Sequence, residues 1–178
     1  MVETAPRELA ADLPSIDAEA AYRALLSSLR STLLAENRTP VLVGIHSGGA
    51  WVADRLQADL GLSTPVGYLS SAFHRDDYGR RGLPANIKPT TLPVDVEAAD
   101  LILVDDVLFT GRTARAGLNE LFDHGRPARV ELAVLADRGG RELPISARFV
   151  GAHVALNAPA QLVLAIDTHG HFSFRLET

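Results

Sequence analysis

Apolar side chains recur at helical spacing at Ala18, Tyr22, Leu25, Leu29 and Leu33, behind Pro14-Ser15 and with Asp17 and Glu19 in the first turn. The pattern predicts a helix with Ser15 as its N-cap. Pro40 then opens Val41-Leu42-Val43-Gly44-Ile45, a short β-branched run of the kind that is buried on both faces of a parallel sheet. His46-Ser47-Gly48-Gly49 turns the chain into a second amphipathic stretch with Val52, Leu56 and Leu60, closed by Gly61. Residues 66–70 predict another strand, and residues 71–93 a long polar loop. Leu101-Ile102-Leu103-Val104 is the clearest buried strand. It runs through Asp105-Asp106-Val107-Leu108-Phe109-Thr110-Gly111-Arg112-Thr113 into a helix with Ala114, Leu118, Leu121 and Phe122 on one face and Gly125 beyond its end.

Residues 130–135 predict a further strand, followed by the turn-rich Asp137-Arg138-Gly139-Gly140-Arg141. Residues 149–154, 162–166 and 172–176 close the chain as short strands with no helices between them. Strands alternating with helices predict an α/β fold. Its central sheet is mainly parallel and flanked by helices, and the last segments add an antiparallel edge or small flap. With no repeat and no linker, residues 1–178 read as a single domain, residues 1–14 being a loose arm.

Composition narrows the chemistry. The chain lacks cysteine, which removes thiolate metal sites, disulfides and cysteine nucleophiles together. All 17 cationic side chains except Lys88 are arginine, so a Schiff-base lysine enzyme is disfavoured, while the arginine fork suits phosphate and carboxylate. Net charge is −5, so nucleic-acid binding would need a local basic patch. The longest apolar runs fall well short of the roughly 18 residues of a membrane span, and the acidic start is unlike a signal peptide, so a cytoplasmic location is expected.

In open α/β sheets, ligands bind beyond the carboxyl ends of the strands. The turn expected after residues 101–104 carries Asp105 and Asp106, then Thr110-Gly111-Arg112-Thr113 at a helix N-terminus. Free amides and the positive end of the helix dipole make an anion site there, to which the two threonine hydroxyls add donors. The carboxylates suit ribose hydroxyls or Mg²⁺. An isolated Asp-Asp or Thr-Gly pair is more often a plain strand end or helix cap, but the full string strand-Asp-Asp-x-x-x-Thr-Gly-x-Thr-helix is far more specific. It matches neither a Walker A loop nor a dinucleotide fingerprint. His46 and His74 read as structural or exposed, and His169 and His171 lack further metal ligands at suitable spacing.

The string resembles the phosphoribosyl pyrophosphate (PRPP) signature of type I phosphoribosyltransferases. With Gly125-Arg126-Pro127, Leu135-Ala136-Asp137-Arg138-Gly139 and Arg141-Glu142-Leu143-Pro144-Ile145, it resembles more narrowly the bifunctional pyrimidine operon regulator/uracil phosphoribosyltransferase (PyrR) family, over about residues 41–154. The resemblance implies the type I phosphoribosyltransferase fold and formation of UMP and pyrophosphate from uracil and PRPP. It assigns the ribose hydroxyls to Asp105 and Asp106, which would also hold Mg²⁺ weakly, the metal arriving largely with PRPP. The 5′-phosphate goes to Thr110, Gly111, Arg112 and Thr113, the pyrophosphate to Ser47, Gly48 and Gly49, and Val107, Leu108 and Phe109 are counted with them among the residues that bind PRPP or UMP. Arg75, with Arg80, belongs to a mobile loop that closes over pyrophosphate, Arg138 reaches pyrimidine or PRPP, and Phe149 and Val150 form a hood over uracil.

Phe109 stands where many members carry a third acid that serves purines as general acid/base, which favours uracil with its more acidic N1 proton. The resemblance also implies a homodimer or higher homo-oligomer. It leaves open a regulator that senses UMP and binds an mRNA leader hairpin with little or no catalysis, using Arg112, Arg115, Arg126, Arg129, Arg138, Arg141 and Arg148. Gly140 stands where the family often has His, and the first helix lacks the Thr and His of RNA-binding members.

Overall fold

The computed structural model describes residues 16–70, 88–156 and 160–177. The N-terminal arm with Ser15, and the loop bearing Phe73, His74, Arg75 and Arg80, lie outside the described residues. In chain order the elements are α1 (Ala18–Ala35), β1 (Val41–Ile45), α2 (Gly48–Leu60), β2 (Gly67–Leu69), β3 (Asp100–Leu108), α3 (Arg112–Asp123), β4 (Arg129–Asp137), β5 (Phe149–His153), β6 (Gln161–Ile166) and β7 (Phe172–Glu177). Among the described residues no helix is long and apolar enough to cross a membrane.

Five strands form one sheet in the order β2-β1-β3-β4-β5, and every neighbouring pair is parallel. Strand periodicity divides the side chains between its two faces. Leu42, Ile102, Val104, Ala133, Leu135 and Phe149 pack with Tyr22, Leu25, Leu29, Val52 and Leu56 of α1 and α2. Val43, Ile45, Leu101, Leu103, Leu132 and Val134 pack with Ala114 and Leu121 of α3 on the other side. Burial on both faces is why these strands read as continuous apolar runs.

Several expectations need correction. The N-cap of α1 is Asp17, whose Oδ1 accepts from the Ala20 amide at 2.9 Å. Of the three closing segments, β5 joins the main sheet as a fifth parallel strand, and β6 and β7 form a separate antiparallel pair. Phe122 is 42% exposed, off the narrow apolar stripe of α3 and beneath the Arg126 guanidinium instead. The β6–β7 pair is fastened to α1, because the Phe172 amide donates to Glu19 at 2.8 Å and the Phe172 ring meets Tyr22 edge-on. Arg55 of α2 holds the same Glu19 at 2.7 and 2.9 Å while its guanidinium covers the Tyr22 ring at 4.0 Å.

At the amino-terminal edge of the sheet, away from the strand ends that carry the site, Arg38 bonds Asp100 at 2.6 and 2.8 Å, Glu36 at 2.7 Å and Glu131 at 2.9 Å. Arg148 joins the same Glu36 and Glu131. The carboxylates, Asp100 foremost, raise the Arg38 pKa still further, so this half-buried cation stays charged. Arg38→Ala takes both guanidinium bonds from Asp100, while Glu36 and Glu131 keep Arg148. Breaking a fully buried pair costs roughly 3–5 kcal/mol, and because Asp100 and Glu36 keep partial access to water the expected loss here is about 2 kcal/mol. For a chain of this size that lowers the melting temperature by about 4–8 °C. Differential scanning calorimetry checks it, and an unchanged melting temperature refutes it.

Candidate active site

The site lies where β1 and β3, paired side by side with Gly44 opposite Val104, reach their carboxyl ends. One finding corrects the sequence reading: β3 continues to Leu108, so Asp105 and Asp106 lie within the strand, and the turn begins only at Phe109. Alternation therefore sends the two carboxylates to opposite faces. Asp105 is 5% exposed, and its Oδ1 accepts from the Asp106 amide at 3.0 Å. Asp106 is half-buried, and its Oδ1 accepts from the Val107 amide at 2.9 Å.

Three glycines bring the turn after β1 against this pair. A methyl group on Gly44 would lie 2.6 Å from the Ala50 Cα, so α2 can start almost at once above the strand. On Gly49 it would lie 2.3 Å from the Val104 carbonyl oxygen, and on Gly48 it would lie 2.2 Å from Oδ2 of Asp106. The Asp106 carboxylate thus hangs directly over the start of α2. Ser47 precedes that helix with no side-chain capping bond, and the His46-Ser47 peptide is cis. His46 stacks on Tyr68, whose hydroxyl donates to Asp54 at 2.6 Å. Burial, with Lys88 nearby, pushes the His46 imidazole below its ordinary pKa, so it is neutral at pH 7, and its Nδ1 is buried without a hydrogen-bond partner.

The second loop follows β3. Gly111, at φ +91°, precedes α3 and, having no side chain, leaves the first amides of that helix without a cap from its N-cap residue. Within the turn the Arg112 amide donates to Oγ1 of Thr110 at 3.3 Å, a long bond. This is an anion-binding arrangement. Thr110 and Thr113 are half-buried beside it, whereas the Arg112 side chain turns outward to Glu142 at 2.7 Å. Val107 is half-buried and Leu108 is core, while Phe109 is 41% exposed and projects over the site. Beneath the Phe109 ring, at 3.9 Å, lies the Arg138 guanidinium, 7% exposed and with its Nε unpartnered. A cavity of about 510 Å³ opens beside it, between Arg138, Arg141 and His153 at the ends of β4 and β5.

The structure therefore brings together Ser47, Gly48, Gly49, Asp105, Asp106 and residues 107–113, with Arg138 behind Phe109. It does not bring Phe149 and Val150 there. Phe149 is 2% exposed among the α1 contacts, opposite Ala133 and well below the strand ends, and Val150 packs on the α3 face. An aromatic residue in a strand covered on both sides is core, and the expected hood is corrected accordingly. His169 and His171 belong to the β6–β7 turn, where their amides both donate to Asp167. Among the described residues no cluster of three metal-ligating side chains occurs.

The arrangement sets the Asp106 carboxylate between two amide-rich turns, with Asp105 buried beside it in the strand, which suits a ligand carrying anionic groups at both ends and hydroxyls in the middle. Comparison with known proteins agrees. Residues 14–157 match the family model described as the phosphoribosyl transferase domain. A relative from Ralstonia nicotianae named "Bifunctional protein PyrR" is 52% identical over 169 residues, covering 91% of this chain and 95% of that protein. A relative of the same name from Nitrosococcus oceani is 48% identical, covering 84% and 86%. In fold, the chain is similar to a hypoxanthine-guanine phosphoribosyltransferase from Bacillus anthracis, with a TM-score of 0.61 at 17% identity over 80% of this chain and 84% of that one. It is also similar to the hypoxanthine phosphoribosyltransferase of Trypanosoma cruzi, with a TM-score of 0.60 at 17% identity over 91% and 94%.

Proposed function

From a chain that belongs to the phosphoribosyl transferase domain family, and within it to the PyrR family, we propose the following reading. The protein transfers the phosphoribosyl group of PRPP to uracil, releasing pyrophosphate and UMP, and takes part in regulating pyrimidine operon expression. The observation that carries the catalytic half is the contact of the Asp106 carboxylate with the Gly48 backbone, which sets a ribose-binding acid beside a pyrophosphate-binding turn.

In this reading the amides of residues 110–113 and the hydroxyls of Thr110 and Thr113 hold the 5′-phosphate, and Asp105 and Asp106 accept from the ribose hydroxyls. The amides around Ser47, Gly48 and Gly49 hold the departing pyrophosphate. The Asp106 carboxylate, packed against Gly48, would give Mg²⁺ one protein oxygen beside the pyrophosphate turn. With no cluster of three protein ligands among the described residues, most of the metal's oxygens would come from PRPP. Bound there, Mg²⁺ neutralises the leaving group. The transition state at ribose C1′ has oxocarbenium character, so positioning and charge do the catalysis and no protein nucleophile is needed. Phe109 offers no proton acceptor, which suits uracil with its more acidic N1–H better than hypoxanthine. Arg138, buried with a free Nε beside an open cavity, is placed to meet the base or PRPP, and Arg75 is assigned to the closing loop.

Residues 1–178 are read as one such domain, acting as a homodimer or higher homo-oligomer. The cytoplasm is its compartment, since PRPP is too highly charged to cross a bilayer unaided. The regulatory half rests on the relatives' shared name and would use an mRNA leader hairpin. A non-catalytic UMP sensor has less support, because most of the arginines it would use are already engaged: Arg112 with Glu142, Arg129 and Arg148 with Glu36 and Glu131, and Arg141 with Asp137. Purified protein incubated with PRPP and Mg²⁺ is expected to convert uracil, and neither hypoxanthine nor orotate, in a spectrophotometric assay. Absence of turnover with UMP still bound would assign the site to sensing.

A further inference from the structure

The peptide groups of the turn after β3 all face one way. A carbonyl and the N–H of the next residue point in opposite directions across a planar peptide. Three consecutive carbonyls of this turn are captured from behind by residues 138–145, the connection between β4 and β5. The Leu108 carbonyl accepts from the Arg138 amide at 3.0 Å and from Nη1 of Arg141 at 3.4 Å. The Phe109 carbonyl accepts from Nη1 of Arg141 at 2.7 Å, and the Thr110 carbonyl accepts from the amides of Glu142 and Leu143 at 2.9 and 3.1 Å. The N–H groups of Phe109, Thr110 and Gly111 are thereby turned the opposite way, out over the strand ends.

Arg141 is the centre of this support. Besides the turn, its guanidinium reaches the Ile145 carbonyl at 3.0 Å, the Gly139 carbonyl at 3.2 Å and the Asp137 carboxylate. Burial alone would raise the Asp137 pKa, but Arg141 and the Gly139 amide outweigh it and keep the carboxylate ionised. Five donors in a planar fork can span carbonyls and a carboxylate at once, which a lysine ammonium cannot. Packing follows the same line. A Cβ on Gly140 would lie 2.4 Å from the Phe109 ring, and one on Gly111 would lie 3.0 Å from Ile145, so both contacts require glycine.

We infer that Arg141 is a positioning residue: it never touches the ligand, but holds the turn of residues 109–111 with its amides aimed at the 5′-phosphate. The inference rests on the reading of residues 110–113 as the phosphate turn. It also gives Arg141 a task other than contacting nucleic acid.

The test is calorimetric titration of UMP and uridine, which differ only in that phosphate, into the wild type, Arg141→Gln and Arg141→Lys, with KM and kcat for PRPP measured alongside. Loss of a charged donor to the turn is expected to weaken UMP by about tenfold and leave uridine unchanged, with KM for PRPP rising in step and kcat nearly constant. Arg141→Lys should fare no better than Arg141→Gln. A purely structural role would instead lower the melting temperature and weaken both ligands equally, and an unchanged preference for UMP over uridine in Arg141→Gln overturns the inference. A wild type that binds the two equally well would refute the phosphate turn itself. Should Arg141→Gln not fold, Asp137→Asn, which releases the guanidinium from its carboxylate, carries the same comparison with about a threefold loss expected.

Discussion

Asp106→Asn is expected to lower kcat/KM for PRPP by about 10²-fold while the protein melts within about 2 °C of the wild type. The two side chains have the same shape, and an Asn oxygen still accepts from the Val107 amide as Oδ1 does now, so the backbone of β3 has little reason to move. What changes is the carboxylate edge turned toward Gly48. A carboxylate accepts from two ribose hydroxyls, whereas an amide presents a donor to one of them and no charge to the ribose as positive character grows at C1′. Bonds to an ionised acceptor contribute roughly 1.5–3 kcal/mol each, which gives the stated factor. Asp105→Asn is a different experiment: at 5% exposure, with an oxygen bonded to the Asp106 amide, Asp105 supports the strand end as well as the ligand. Steady-state kinetics and thermal melts of both variants separate the roles. Full activity in Asp106→Asn would sink the ribose assignment.

How much of this could be read from the sequence differs by element. The strands buried on both faces announced themselves as unbroken β-branched runs, and the helices by their periodic apolar stripes, because those patterns are direct consequences of two-sided packing. The string from Asp105 to Thr113 marked the site because its residue types suit ribose and phosphate chemistry at neighbouring positions. The end of β3 was misplaced because Asp is a poor strand former. Pairing of Val107 with Ala136 and of Leu108 with Asp137 on β4 overrides that propensity.

Phe149 misled for the opposite reason: an aromatic before Val-Gly suits a ligand hood and a core strand equally well, and only the register with β4 shows which one it serves. Arg141 was legible only as part of the family string and as a possible RNA contact, and nothing signalled its hold on the turn, because its partners are mostly backbone carbonyls, whose positions no side-chain pattern reports. His46 was similarly set aside, although the structure buries its Nδ1 at the very turn that holds Ser47.

Two neighbouring glycines make the division between site and scaffold measurable. Gly49→Ala drives a methyl group to 2.3 Å from the Val104 carbonyl and 2.9 Å from the Asp105 Cα, both backbone atoms of the central strand, so α2 must lift off β3. Overpacking of this kind costs roughly 1–3 kcal/mol or more, and a fall in melting temperature of about 5–10 °C is expected. Gly48→Ala meets the Asp106 side chain and no backbone atom: Oδ2 and Cγ, at 2.2 and 2.5 Å, can swing aside, and Cβ, at 2.9 Å, asks for only a small shift. Replacing glycine by alanine in the first turn of a helix also gains up to about 1 kcal/mol of helix propensity, so this variant is expected to melt at or near the wild-type temperature. Its defect should be catalytic, a loss of about 10²-fold in kcat/KM for PRPP, because the displaced carboxylate no longer reaches the ribose. The double variant Gly48→Ala/Asp106→Asn then decides between mechanisms. If the methyl group acts by displacing Asp106, the second substitution adds almost nothing to the first, and the losses are strongly non-additive. If instead it blocks the pyrophosphate turn independently, the two losses multiply to about 10⁴-fold, and the coupling between the turn and the acid that underlies the catalytic reading is wrong.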